Sequence, residues 1–145
     1  IERPHELLHL LKLAVGIVNI GHLREVQVRR LADDGDLRHI TRFMPRRAEQ
    51  VLAGGSLYWV VRNIIRVRQR VLDLQIVPNH ESGGSKCAFI LDPELVLTIP
   101  VRRRPHQGWR YFEADSVPPD LGTSLQEYAD MPPEMMADLR ALGLI

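Results

Sequence analysis

Residues 56–77, SLYWVVRNIIRVRQRVLDLQIV, constrain the fold more than any other stretch of the chain. Val, Ile, Tyr and Trp dominate it. Branched and aromatic side chains lose rotamer freedom against the turns of a helix and pack well on a pleated surface. The run is therefore predicted as β-strand, with Asn63 marking a turn or bulge. Arg62, Arg66 and Arg70 are spaced by four, as on a helix, but the density of β-branched residues decides for strand. From Ile65 the order alternates. Ile65, Val67, Gln69 and Val71 should point one way, and Arg66, Arg68 and Arg70 the other. After Val71 the apolar set moves to Leu72, Leu74 and Ile76, and a register change of that kind predicts a β-bulge.

The flanking segments fill in the class. LLHLLKLAVGIVNI, residues 7–20, is interrupted by His9 and Lys12 and reads as a buried strand over 8–16. Asn19 is placed to cap a helix running to about Ala32 with Ile20, Leu23, Val26 and Leu31 on one side, and Gly35 supplies its stop. Residues 38–43 read as a strand, and Pro45 suits the start of a short helix ended by Gly54-Gly55. After a polar loop at 78–86 come strands near 86–91, 94–99 and 108–112, with Arg102-Arg103-Arg104-Pro105 as a basic turn. Ser124 and Glu127 have capping-box spacing for a helix over 124–131, and Pro133–Leu142 reads as a terminal helix. Strands in the middle and helices at the ends argue for an α+β fold: a small bent mixed sheet or partial barrel with flanking helices. Residues 1–117 would form the barrel-like domain, and 118–145 a helical tail packed on it.

At 145 residues, 45% hydrophobic and 26% charged, the chain can bury a core without disulfides or metal. Collagen, coiled coil, disulfide scaffold and wholesale disorder are excluded. The one cysteine, Cys87, can form neither an internal disulfide nor a Cys-based zinc site. It is expected as a buried structural thiol in a reducing compartment, the cytoplasm. No run reaches the roughly 18 apolar residues of a membrane span. His5 and His9 have metal-face spacing on a helix, but no HExxH string accompanies them, so neither metal nor cofactor is expected.

Charge is unevenly distributed. Residues 38–110 carry 13 basic and 5 acidic groups, net +8; residues 111–145 carry 1 basic and 7 acidic groups, net −6. So basic a centre attracts phosphates, and the acidic segment is expected to fold back and partly neutralise it. The plain alternative is a solvated basic face whose arginine stems cover apolar surface.

The segments RHITRFMPRRAEQVLAGGSLYWVVRNIIRVRQRVLDL and CAFILDPELVLTIPVRRRPHQGWRYF, above all GGSLYWV and GWRY, resemble a family of uncharacterised small alphaproteobacterial proteins, domain-of-unknown-function family 1489. That resemblance implies no activity, cofactor or catalytic residue. A proline-started helix, a glycine and then bulged strands is also similar to the PUA-like superfamily, including ASCH and EVE domains, which implies a small barrel binding RNA or modified nucleobases. The spaced Lys, Glu and Arg of the ASCH hallmark do not follow Gly54-Gly55.

The residues support a matching expectation. Arg66, Arg68 and Arg70 on one strand face would lie about 7 Å apart at successive steps, close to the phosphate spacing of an extended single strand. Arg42, Arg46, Arg47, Arg102, Arg103 and Arg104 would widen the patch. Tyr58, Trp59, Trp109 and Tyr111 would offer stacking surfaces, with Arg110 beside Tyr58, Trp59 and Trp109 in a base-sized cleft; an exposed ring contributes roughly 1–3 kcal/mol per stacked base. The partner would be RNA or a nucleotide, with no membrane involved, and the protein a monomer or a homodimer. Two other readings remain. A small enzyme acting on a nucleobase or nucleoside derivative would use His39, Thr41 and Arg110, with a carboxylate such as Asp92 near His39. A homodimeric interaction protein would associate through a sheet edge or the Met135-Met136 helix.

Overall fold

The computed structural model describes residues 7–124 and Glu134. Its elements, in chain order, are β1 (Leu8–Leu13), α1 (Ile20–Asp34), β2 (Arg38–Thr41), α2 (Ala48–Leu52), β3 (Ser56–Val61), β4 (Ile64–Pro78), β5 (Ser85–Leu91), β6 (Val96–Arg102), β7 (Trp109–Glu113) and β8 (Asp120–Ser124). The strands form one mixed, bent sheet of order β2-β5-β4-β3-β1-β7, with β6 pairing both β4 and β8. The architecture is the expected α+β bent sheet. It does not close, but the edges approach: the Trp109 indole N–H on β7 donates to the Phe43 carbonyl just past β2, at 2.9 Å.

The run at 56–77 breaks at Arg62-Asn63, both with positive φ (49° and 66°), as a two-residue hairpin requires. The arm beyond it, β4, is the hub of the fold. Its first half pairs β3 and β6, and its second half pairs β5. The predicted bulge after Val71 is present: Val71 faces Leu91 and Asp73 faces Ile90, leaving Leu72 as the extra residue. A second bulge lies at Arg66, because Trp59 faces Val67 while Val60 faces Ile65. This corrects the expected single face. Ile65 packs with Leu11, Tyr58, Val60 and Phe112 on the outer side of the sheet, whereas Val67 and Val71 join the main core inside.

Strand β1 lies between parallel β3 and antiparallel β7. Leu8 and Leu10 face the inner core and Leu11 the outer cluster, which is why its apolar run hardly alternates. Helix α1 follows its signals: Asn19 Oδ1 accepts from the His22 amide at 2.8 Å, and Gly35 takes the left-handed conformation (φ 81°) as its amide donates to Leu31. Gly55 is required by space, since a Cβ there would collide with the carbonyl oxygens of Leu8 and Val51.

Two expectations need amendment. Helix α2 begins at Ala48, and Pro45 leads into the turn before it. Ser124, where the capping-box spacing predicts a helix start, instead ends β8, which the sequence reading did not anticipate. Residues 125–131 and, apart from Glu134, the expected terminal helix with Met135 and Met136 lie outside the described residues, as does His5.

Candidate nucleic-acid interface

Strand register gathers one set of cations. Lys12 is level with both Trp59 and Trp109, Val61 with Ile64, and Ile64 with Arg102. The end of β1, the β3–β4 turn, the end of β6 and the start of β7 therefore share one end of the sheet. Lys12, Arg62, Arg102, Arg103, Arg104 and Arg110 stand there. Arg62, Asn63, Ile64, Arg102 to Arg104 and Pro105 line a groove of about 410 Å³ that contains no carboxylate. The Arg103 amide donates to Asn63 at 2.8 Å, tying its two walls together. The Arg103 guanidinium lies 5.7 Å from the centre of the Phe112 ring. Arg62, Arg102, Arg104 and Arg110 have no ion pair among the described residues.

Across the 103–108 loop is a second opening, about 520 Å³, lined by Lys12, Ile40, Thr41, Arg42, Phe43, Gln107, Gly108 and Trp109. The hydrogen bond to Phe43 holds the Trp109 ring in place. Phe43 itself is 66% exposed, with Arg42 over its ring at 5.9 Å.

Other expected members are placed elsewhere. Tyr58 and Trp59 are 3% and 4% exposed, so neither can stack on a base. Both residues on either side of the β3 pleat have sheet or core to cover them. Tyr58 packs edge-on to His9 and Phe112, and burial pushes its phenol up to about 12. The Trp59 indole N–H donates inward to Gln69 at 2.8 Å. Arg68 is neutralised: it grips Asp120 with two bonds of 2.8 and 2.7 Å and donates to Ser56 Oγ at 3.0 Å. That bond holds the Asp120 carboxyl below its ordinary range. Arg70 is exposed at the opposite end, level with Ser56, and Arg66 occupies the bulge, so the three arginines do not make a uniform wall. Arg47 pairs with Glu113 at 3.3 Å and covers Tyr111.

His39 and Thr41 face inward, as their pairing with Phe89 and Cys87 requires. Burial, and then the charges of Lys12 and Arg30, push His39 down to about 4. A neutral imidazole of that basicity is a poor proton acceptor at neutral pH. Arg110, level with Leu11, sits on the outer side with Phe112, and the Asp92 carboxylate accepts from the Glu94 amide at 2.9 Å. The expected His39–Arg110–Asp92 grouping is thus not assembled. His9 is structural, its Nδ1 accepting from the Ser56 amide at 2.9 Å. No cluster of three or more potential metal ligands occurs among the described residues.

Sequence reasoning missed Lys12, Phe43 and Arg62. Arg62 carried a usable signal: beside Asn63 in a hairpin turn, it had to project at the same end as any basic turn one strand away.

The class defined by these observations is a small α+β domain with a bent, unclosed mixed sheet and one strongly basic end. The chain belongs to the family described as protein of unknown function (DUF1489), whose model matches residues 10–145. No curated protein and no solved structure matches it. No described helix is long and apolar enough to cross a membrane.

Proposed function

We propose that the protein binds single-stranded RNA, with a nucleobase taken up beside Trp109 and Phe43. The observation that carries this reading is the groove of Arg62, Arg102, Arg103 and Arg104, unopposed by any lining carboxylate, next to an opening that presents two aromatic rings. Guanidinium groups suit phosphate oxygens, and flat rings suit bases. Arg62 adds a second argument. It holds a φ of 49°, where Gly, Asn or Asp is the ordinary choice and other residues are disfavoured by roughly 1–2 kcal/mol. Strain of this sort tends to sit at binding sites. A PUA-like partial barrel and a cytoplasmic location belong to the same reading, the latter supported by the buried Cys87, which forms no disulfide.

The test is fluorescence anisotropy with a labelled single-stranded RNA over a salt series. Three to five phosphate contacts predict a log–log slope of about −2 to −4. Arg102→Ser combined with Arg104→Ser should flatten the slope by roughly 1.4. Binding that is absent at low salt, or indifferent to both salt and these substitutions, would remove the proposal.

A further inference from the structure

Between α1 and the inner face of the sheet lies a separate cavity of about 150 Å³. Its floor is apolar, with Ala14, Leu23, Val26, Leu37 and Trp59 among the lining. Its polar side is Lys12, Gln27, Arg30, Arg38 and His39, with no aspartate or glutamate. Arg38 is matched by Asp36 at 2.8 Å. The Lys12 and Arg30 side chains have no hydrogen bond or ion pair among the described residues, and the buried Nε2 of His39 is also without a partner. Two uncompensated cations and an unsatisfied ring nitrogen therefore border a small greasy space.

We infer that this cavity is a binding site for a small planar organic anion, a single aromatic ring carrying one carboxylate. A cavity of about 150 Å³ is of the size that takes up a benzene ring. A ring would lie on the aliphatic floor of Leu23, Val26 and Leu37, close to the almost fully buried Trp59, while its carboxylate would meet Lys12 and Arg30. The buried Gln27–Gln69–Trp59 hydrogen bonds keep the Trp59 wall fixed. The site goes beyond RNA binding and shares only Lys12 with the 520 Å³ opening.

Benzoate and nicotinate are the probes, with benzamide and nicotinamide as neutral twins. The readout is the Trp59 indole N–H resonance in amide-correlation spectra, assigned with Trp109→Phe. The acids should shift it saturably and bind at least tenfold more tightly than the amides. Arg30→Gln, at the solvent-exposed rim of the cavity, should lose about tenfold for the acids and nothing for the amides. Val26→Phe should fill the space and abolish the shift. Arg103→Ser should weaken RNA binding and leave benzoate unaffected, so the two proposals fail separately. Equal affinity for acid and amide, an unmoved Trp59 resonance, or an Arg30→Gln protein that binds benzoate normally would each overturn the inference.

Discussion

Gln69 gives the sharpest test of the interior. It is fully buried on β4, and every polar atom of its side chain is used. Its Oε1 accepts from Gln27 Nε2 at 2.7 Å and from the Trp59 indole at 2.8 Å. Its Nε2 donates to Gln27 Oε1 at 2.8 Å and to the Asp92 carbonyl at 3.0 Å. Replacing it by Leu keeps the volume and removes all four bonds. The Trp59 N–H and the Asp92 carbonyl are then stranded, at roughly 1–3 kcal/mol each, while Gln27 can turn to the cavity it lines. Gln69→Leu should therefore destabilise by about 3–5 kcal/mol. Gln27→Leu leaves Gln69 with two partners and should lose about 1–2 kcal/mol. In the double variant the Gln27 loss is largely absorbed, because its partner has already gone, so the cycle should show coupling of about 1 kcal/mol or more. Urea unfolding followed by tryptophan fluorescence measures all three. A Gln69→Leu protein within about 1 kcal/mol of the parent, or strict additivity, would refute the network as drawn.

Three further outcomes are expected. His39 is held neutral in the folded chain down to about 4, against 6.5 unfolded; below 6.5 the unfolded state takes up a proton that the folded state refuses, so stability falls on acidification. Between neutral pH and about pH 4.5 that amounts to roughly 2–3 kcal/mol, and His39→Gln should lack that part of the decline in urea midpoints taken across the range. Cys87 is buried with its thiol pushed up to about 11, so Ellman's reagent at pH 8 should leave the native protein unmodified and label it only as it unfolds. Gly55→Ala forces a methyl into the Leu8 carbonyl and should lower stability by about 2–3 kcal/mol, seen as a shifted urea midpoint with an unchanged slope.

Much of the fold was legible because local chemistry and tertiary packing agree. Asn19 and Gly35 bound α1 as capping rules require, and the phase change after Val71 marks a bulge that exists. The bulge at Arg66 was invisible because Ile65 and Val67 keep a clean alternation in sequence; only pairing with Trp59 and Val60 shows that they face opposite sides. Strand β8 was missed for a similar reason. Asp120-Leu-Gly-Thr-Ser has little strand character of its own and is held by β6 and by the grip of Arg68 on Asp120. Here tertiary contact outweighs local propensity.

The candidate site shows why counting charge along the chain falls short. Residues 38–110 carry the net +8, but strands distribute those charges by distance from the nearest turn. Arg62, Arg102, Arg103 and Arg104 belong to turns or strand ends, which hairpin geometry stacks at one end. Arg68 and Arg70 lie deeper along β4, towards the end where Glu113 begins its pairing with Leu8 and where Glu94 and Asp120 stand. Of the acidic segment, Glu113 and Asp120 take up Arg47 and Arg68, and the turn arginines are left unopposed among the described residues. Among the described residues, this partial neutralisation sharpens the contrast between the two ends of the sheet. Cancelling the cations of one end leaves a field concentrated at the other, beside the Lys12 and Trp109 mouth, where a phosphate chain would find both charge and a flat ring.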